Sequence, residues 1–486
     1  MYFYKKCFVK PNYPLLLMCF WFLPMQSQYT SIPDPIFEQE LINQGIDSNP
    51  IIDHQVLTSD VNNRTELNIE VNNINNFEGL QDFTNLETLK IISYNFAPIL
   101  NLENNVLLKH ILLSGFDGIL SLDLTNNVLL ETIQVSSNSL SNVNINTCVN
   151  LKKLILSDCH ITNIDLSNNL NLEELGLLGV NLTSLNINNN LALKKIGLFN
   201  TQFTSLDFSN NTNLEEIILI NLGGPITTFN PLLFSNNVNL KKLIVDHVSF
   251  YPTVNLQNNL QLETCVLWSA GLFNLDVSNN ISLKILRIDG NFFDDINIQS
   301  LNQLQIFGCT YNNIASLNFD NNPILEVLFC DSNNLQNLTI QNGANSLLNG
   351  TISNGSAINE RFNATNNPNL RCIYVDDVAN CNANWLSKDP TSYYVSTVQE
   401  CNLLSTTTTL NSKFTLSPNP VENYLNISTP NDLEIYEIKI FTIDRKQIQV
   451  NYNNFEQIDL SNLVTGIFTI EITTNSGKYF KKLIKK

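Results

Sequence analysis

The chain has 486 residues, with 44 acidic and 26 basic side chains and a formal net charge of −18. The length exceeds one ordinary globular domain, and the 17 glycines and 14% charged residues describe neither a linker nor a disordered acidic segment. The negative charge disfavours nucleic acid as a partner, because phosphate binding needs a concentrated basic face.

Residues 1–27 have the composition of a secretory signal peptide. Lys5, Lys6 and Lys10 precede the apolar run LLLMCFWFL that starts at Leu15, and this run is too short to span a bilayer. We expect cleavage between Ser27 and Gln28 and no transmembrane segment in the mature chain. A lipoprotein signal at Cys19 is the alternative.

Residues 28–85 are predicted to form an N-terminal cap and a first, degenerate repeat. Asp34 and Pro35 fit the N-cap and first turn of a helix, and Gly45 fits its end. Phe37, Leu41 and Ile42 would form its apolar stripe, which would cover the apolar end of the first coil of a solenoid. The nearby Asp47 and Asp53 are interpreted as solvated turn residues rather than as a calcium loop.

One phrase of about 21 residues then recurs, and LKKLILSDCHITNIDLSNNLN from Leu151 is its clearest copy. Counted from the opening leucine as position 1, apolar residues fall at positions 4, 6, 11, 14 and 16. The spacing of two indicates a short strand, and a 21-residue coil can bury its leucines only against neighbouring coils. The period predicts a solenoid with a parallel sheet. The opening leucines are 86, 108, 130, 151, 172, 193, 214, 240, 262, 283, 304, 325 and 370.

The pattern resembles the leucine-rich repeat family, specifically the 21-residue repeats of internalin-like bacterial surface proteins. That family carries a buried Asn at position 9, which appears here as Asn138, Asn291, Asn312 and Asn333. Cys159, Val180, Thr201 and Ala270 interrupt it. A second row of amides is predicted to compensate by satisfying turn backbone groups, in the pairs Asn168-Asn169, Asn189-Asn190, Asn210-Asn211 and Asn279-Asn280.

Position 2 alternates in charge from coil to coil, and we call these ten residues the charge ladder. Stacked parallel strands lie about 4.8 Å apart, so each acid would lie between two bases. We interpret the ladder as setting coil register and opposing aggregation, not as a binding site. The residues are Glu87, Lys109, Glu131, Lys152, Glu173, Lys194, Glu215, Lys241, Glu263 and Lys284.

Positions 5 and 7 face outward on the concave sheet and carry apolar residues over several coils. A contiguous exposed apolar surface usually marks an interaction site; the alternative is that the insertion at Gly223, Gly224 and Pro225 folds over it. Asp246 and His247 border this surface. We call the following residues the concave strip and predict that it binds a partner: Ile155, Leu178, Phe199, Ile218, Ile220, Ile244, Val266 and Trp268.

Eight cysteines remain after the signal peptide, without a CxxC or His-spaced metal pattern, so no metal or cofactor is expected. Cys309 and Cys330 occupy position 6 of adjacent coils and are predicted to be a buried thiol pair. Residues after Leu370 resemble the C-terminal cap of Bacteroidota repeat proteins, and this resemblance implies a Cys372–Cys401 disulfide, with Cys381 as an extra cysteine. Asp376 and Asp377 are interpreted as cap turn residues.

Residues 402–413 read as a Ser/Thr-rich linker, and residues 414–486 as several short strands of a small β-sandwich. This last segment resembles the type A C-terminal sorting domain of type IX secretion cargo, with Pro418, Asn419, Pro420 and Gly466 in its motifs. The resemblance implies export by the type IX machinery and removal of the domain on export.

The sequence therefore predicts a leucine-rich repeat solenoid over residues 86–401, with a parallel short-strand sheet on its concave face, followed by a small all-β sandwich. The favoured function is a non-catalytic surface protein, secreted or anchored at the outer-membrane cell surface, that binds a protein or glycan. The alternatives are a secreted enzyme with an unrecognised site and a structural surface-layer protein. His54, His110 and His160 stand singly, which favours binding over catalysis.

Overall fold

The structure is a computed structural model. It describes residues 28–95, 100–116, 118–203, 205–222, 233–354, 357–404, 415–428, 434–442, 446–451, 455, 457–474 and 477–486. The predicted signal peptide, the Gly223-Gly224-Pro225 insertion and most of the predicted linker lie outside these residues.

The N-terminal cap consists of strand β1 (Tyr29–Ser31), helix α1 (Pro35–Asn43), strand β2 (Gln55–Leu57) and helix α2 (Thr58–Val61). The Asp34 carboxylate accepts hydrogen bonds from the backbone N–H groups of Ile36 and Phe37, so the predicted N-cap is confirmed. Phe37 and Leu41 are fully buried. Gly45 follows the helix with a φ of 65°, a conformation that glycine adopts without steric cost.

Asp47 differs from its expected role as a solvated turn residue. It is only 4% exposed and accepts a hydrogen bond from the Asn49 N–H, while Asp53 is exposed as predicted. Burial raises the pKa of Asp47, since an apolar environment disfavours the charged carboxylate.

Fourteen strands of the described residues form one parallel sheet, which is the concave face of the solenoid. Its neighbouring strands pair in register, so equivalent positions of successive coils lie side by side. The strands are β3 (Glu66–Ile69), β4 (Thr88–Asn95), β5 (His110–Phe116), β7 (Thr132–Ser136), β9 (Lys153–Ser157), β10 (Glu174–Leu178), β11 (Lys195–Phe199), β12 (Glu216–Ile220), β13 (Lys242–Asp246), β14 (Thr264–Trp268), β15 (Ile285–Arg287), β16 (Ile306–Gly308), β18 (Val327–Phe329) and β22 (Phe362–Asn363).

Shorter strands lie outside the main sheet. They are β6 (Ser121–Asp123), β8 (Asn142–Asn144), β17 (Ser316–Asn318), β19 (Asn337–Ile340), β20 (Thr351–Asn354), β21 (Ala357–Glu360), β23 (Cys372–Val375) and β24 (Tyr393–Val395). Two 3-10 turns (Leu80–Asp82 and Asn345–Leu348) and two further helices, α3 (Val378–Asn384) and α4 (Val398–Leu404), complete the solenoid and its C-terminal cap. Helix α4 runs three residues into the segment that we predicted as linker. One continuous hydrophobic core extends from Ile32 to Tyr394.

Position 8 of most coils adopts positive φ, as in Asp158 (55°), Gly179 (60°), Asn200 (49°) and Tyr311 (56°). This residue ends the alternation of buried and exposed side chains along the strand, so the side chain at position 9 enters the core. In the coil that begins at Leu130, position 8 is Ser137, for which no positive φ occurs, so the alternation continues. Ser137 is therefore buried and Asn138 exposed, and the prediction that Asn138 belongs to the buried position-9 row is wrong.

The amides of the second predicted row are buried and bonded to the coil before them. Asn190 Nδ2, for example, donates to the carbonyl oxygens of Leu166 (3.0 Å) and Asn169 (2.9 Å), and Asn211 repeats this contact one coil later. The first Asn of each pair is exposed. This row satisfies carbonyl groups of the turns that no strand pairs.

The C-terminal domain has two small antiparallel sheets. Strands β25 (Thr415–Ser417), β26 (Tyr424–Ser428) and β29 (Ile458–Asp459) form one, and β27 (Ile435–Phe441), β28 (Gln447–Asn451), β30 (Gly466–Thr474) and β31 (Gly477–Lys485) form the other. They enclose a core of their own, which includes Leu425, Ile440 and Ile470. The predicted small all-β domain is confirmed.

Candidate binding site on the concave sheet

The register of the strands places all eight residues of the concave strip on one face of the sheet. Ile218, Ile244 and Val266 are consecutive neighbours at position 5, and Leu178, Phe199 and Ile220 are neighbours at position 7. Each of the eight side chains is half-buried. The strip is thus a continuous, partly exposed surface, and the insertion that could cover it lies outside the described residues.

Two glycines shape the N-terminal part of the strip. Gly176 and Gly197 occupy position 5 between Ile155 and Ile218. A Cβ atom on Gly197 would lie 2.9 Å from Cε2 of Phe199, so the Phe199 ring folds over the space that this glycine leaves. A side chain at position 197 would displace the ring, since real Cβ atoms do not approach this closely.

Next to Trp268, the face of the sheet changes from apolar to charged, a feature that the sequence reasoning missed. The Arg287 guanidinium lies 5.6 Å from the Trp268 ring centroid and 5.7 Å from that of Phe329, distances at which a cation is attracted to an aromatic face. Gly308 stands at position 5 between Arg287 and Phe329. Its missing side chain leaves room for the guanidinium.

Two aspartates at position 7 line the same region. Asp289 is 1% exposed and accepts hydrogen bonds from Arg287 Nε (2.8 Å) and the Thr310 N–H (3.0 Å). Asp331 accepts one from Thr310 Oγ1 (3.0 Å), and burial raises its pKa. The only sequence signal for this cluster was an arginine at position 5 followed one coil later by a glycine.

Asp246 and His247 border the strip as predicted. His247 Nδ1 lies 2.6 Å from Asp246 Oδ1, and His247 has positive φ because it occupies position 8. The pair therefore belongs to the turn geometry of its coil and also contributes polar groups to the rim of the strip.

The cysteines and the cap aspartates have the arrangement that the sequence suggested. Cys372 and Cys401 form a disulfide with a Cα–Cα distance of 5.9 Å, and Cys381 is a buried free thiol. Cys309 and Cys330 are also buried and free. Asp377 caps helix α3 through the Asn380 N–H, and Asp376 accepts a hydrogen bond from the Gly343 N–H.

The sorting motifs meet at the final strand of the chain. Asn419 Nδ2 donates to the Lys482 carbonyl (2.8 Å), and Asn419 Oδ1 accepts the Ile484 N–H (2.8 Å). Gly466 pairs with Lys485 at the start of β30. Of the predicted cleavage site, Ser27 lies outside the described residues and Gln28 is the first residue within them.

A cavity of about 460 Å³ lies away from the concave strip, between the coils around Phe273 and the C-terminal sheets. Lys482 Nζ lies 3.2 Å from the Phe273 ring centroid, and burial lowers the pKa of Lys482. Since the C-terminal domain forms one wall, this cavity exists only while that domain is attached.

Comparison with known proteins defines both parts of the chain. Residues 415–486 match the model of the secretion system C-terminal sorting domain. The functional domain of InlJ from Listeria monocytogenes, described as including a cysteine ladder, is 16% identical, with a TM-score of 0.52 over 94% of this chain and 99% of that one. The internalin InlF of the same organism is 18% identical, with a TM-score of 0.43 over 63% of this chain and 91% of that one. No curated protein matches the sequence.

The protein therefore has the leucine-rich repeat fold of internalin-like proteins, joined to a type IX sorting domain. That domain marks the chain for export to the cell surface or beyond. Among the residues that the structure describes, no helix is long and apolar enough to cross a membrane.

Proposed function

We propose that this protein is a non-catalytic surface recognition protein that binds a partner protein through the concave strip. The observation that carries the proposal is a set of eight partly exposed apolar side chains held in register on one face of the sheet. Six of them are aliphatic: Ile155, Leu178, Ile218, Ile220, Ile244 and Val266. Aliphatic groups offer no hydrogen bonds to a sugar, so the composition favours a protein over a glycan.

The two aromatic residues are the expected anchors of this interaction. Phe199 and Trp268 are large and rigid, and such residues lose little entropy on binding. The Arg287 cluster next to Trp268 adds charged groups at one end of the strip, which would set the orientation of the partner more than its affinity.

The test is a binding screen of the purified protein against arrays of surface proteins and glycans, followed by substitution. Phe199→Ala and Trp268→Ala should each weaken binding of a protein hit by more than about 2 kcal/mol and change the stability by less than about 1 kcal/mol. Gln134→Ala is the matched control, because Gln134 lies at position 5 of the same sheet outside the strip.

Two outcomes would contradict the proposal. If Phe199→Ala and Trp268→Ala lower the melting temperature clearly while binding persists, the strip is part of the core. If the array yields only glycans whose binding depends on Trp268, the partner class is wrong although the face is right.

A further inference from the structure

A second apolar surface runs along one flank of the solenoid. In eight coils, the residue two places before the opening leucine is apolar and yet exposed to solvent. We call these residues the flank stripe, and their exposed fractions range from 44% to 58%: Val106, Val128, Val149, Leu170, Leu191, Val238, Leu260 and Ile281.

The fold itself does not require apolar residues at this place. Thr212, Asn302 and Pro323 occupy it in other coils and continue the same turn. The turn is held by the backbone and by the next residue: Asn150 Nδ2 donates to the Val128 carbonyl (3.2 Å), and Asn171 Nδ2 donates to that of Val149 (2.9 Å). The fold of the coil therefore does not explain why these exposed residues are apolar.

The charge ladder lies on the same flank, three residues after each residue of the stripe. In the structure it divides into five ion pairs in which a lysine meets the glutamate of the preceding coil, such as Lys152–Glu131 at 2.7 Å and Lys194–Glu173 at 2.7 Å. The other three are Lys109–Glu87, Lys241–Glu215 and Lys284–Glu263. This differs from our expectation that each acid would be shared between two bases.

The charge ladder read from its C-terminal end has the opposite charge at every position. The ladder begins with glutamate, ends with lysine and alternates over ten coils, so reading it backwards exchanges every sign. A two-fold axis that lies in the plane of the flank, perpendicular to the direction in which the coils stack, would place this flank of two copies face to face. The two solenoids would then run antiparallel. All ten contacts would then join opposite charges, from Glu87 facing Lys284 to Glu173 facing Lys194.

The centre of the stripe lies half a coil from the centre of the ladder. Leu191 is the middle of the nine coils from Val106 to Ile281, and the middle of the ladder falls between Glu173 and Lys194. The axis that pairs the charges would still bring stripe against stripe, with Leu191 facing Leu170 of the second copy and Val128 facing Val238. The sorting domain contacts the coils at Tyr251 and Phe273, which lie at position 12 and not on this flank.

We propose that this flank is an isologous interface through which two copies of the chain associate antiparallel. The stripe supplies the apolar contact over about 40 Å, eight coil spacings of about 4.8 Å. The ladder supplies register, because a slip of one coil would place like charges opposite each other at every remaining contact. Exposed ion pairs add little affinity but strongly penalise the wrong arrangement.

The association is independent of any ligand on the concave strip, so it is tested on the purified full chain alone. Sedimentation or light scattering over a range of concentrations should show a monomer–dimer equilibrium. Leu191→Glu should raise the dimer dissociation constant at least about tenfold, because the carboxylate would be buried against Leu170 of the second copy near the axis. Leu170→Glu, facing Leu191, should act in the same direction.

Leu120→Glu is the matched control. Leu120 is 66% exposed against 54% for Leu191, but it lies at position 13, away from the flank, so its substitution should leave the equilibrium unchanged. Glu173→Lys should weaken the dimer, and Glu173→Lys with Lys194→Glu should restore it, since the swapped charges again face opposite partners. A protein that stays monomeric at all concentrations, or a dimer that Leu120→Glu weakens as much as Leu191→Glu, would overturn the proposal.

Discussion

The coils from Leu151 to Leu262 and the coils from Leu283 to Leu325 share one backbone path but differ in their interiors. In the first group position 9 is filled by side chains such as Cys159 and Val180, and the strands span positions 3–7. In the second group position 9 is Asn291, Asn312 or Asn333, and the strands span positions 3–5. The first group has one row of buried amides, and the second adds the position-9 amides to a row that Leu301 interrupts.

The outer face changes at the same coil as the interior. The concave strip ends at Trp268, and the charged cluster around Arg287 begins in the first coil whose position-9 asparagine is buried. The positive-φ residue at position 8 persists across the boundary. Because both groups share this turn, the residues of the core and of the concave face can differ between them without a change of fold.

The largest expected effect comes from removing an amide of the second group. Asn312 Nδ2 donates to the carbonyls of Ile288 and Cys309, both at 2.9 Å, and Asn312 Oδ1 accepts the Phe293 N–H. Asn312→Ala would leave several buried backbone groups unpaired, at roughly 1–3 kcal/mol for each, so we expect a loss of about 3–5 kcal/mol in denaturant unfolding.

Val180→Ala, at the same position in the first group, is the control for Asn312→Ala. It removes only apolar contacts and should cost about 1–2 kcal/mol. If both variants lose the same stability, the two interiors are energetically alike and the comparison fails.

The next effect concerns the disulfide that closes the second group. The Cys372–Cys401 bridge joins residues 29 apart, for which chain-entropy arguments give roughly 3–4 kcal/mol. Replacing both cysteines by serine should lower stability by about this amount, and a reductant should have the same effect on the unchanged protein. Peptide mapping without reductant would contradict the assignment if it found Cys381 bridged to either partner.

Much of this architecture could be predicted from the sequence, because period and hydrophobic spacing are properties of every coil. The Asn190 row and the positions of the concave strip follow from such repetition, and the helix cap at Asp34 follows from the local Asp34-Pro35 signal. The disulfide and the sorting domain came from resemblance rather than from spacing.

The parts that could not be predicted depend on a single residue or on contacts between coils. Ser137 lacks the positive φ of its equivalents in other coils, so Asn138 is exposed to solvent instead of buried in the core. Arg287 reaches two aromatic rings because Gly308 leaves a gap between them, which no pattern within one coil reveals. Asp47 is buried by the tertiary packing of the cap.

A smaller effect is expected from the charged cluster of the second group. Arg287→Ala would remove the charged hydrogen bond to Asp289, which is 1% exposed, while the Thr310 N–H would still bond to that carboxylate. Hydrogen bonds to charged groups contribute about 1.5–3 kcal/mol, and Arg287 is itself partly exposed, so the loss should lie at the lower end. Asp289→Asn in the same background should restore part of it, as a double-mutant cycle would measure.

The smallest effect should come from the charge ladder at the N-terminal edge of the first group, where Lys152 pairs with Glu131 of the preceding coil, and its sign depends on pH. The hydrogen bond from Lys152 lowers the pKa of Glu131 below its ordinary 4.5. A carboxylate whose pKa is lower in the folded state contributes stability that is present above the unfolded pKa and lost as pH falls through the folded value. Glu131→Gln should therefore barely change the melting temperature at pH 7 and should flatten its decline below pH 4.5. Glu103→Gln is the control for the loss of a surface carboxylate, because Glu103 forms no ion pair among the described residues. A large loss at pH 7 would mean that the ladder holds the coils together, and the contrast between the two groups would then rest on charge as well as on their buried amides.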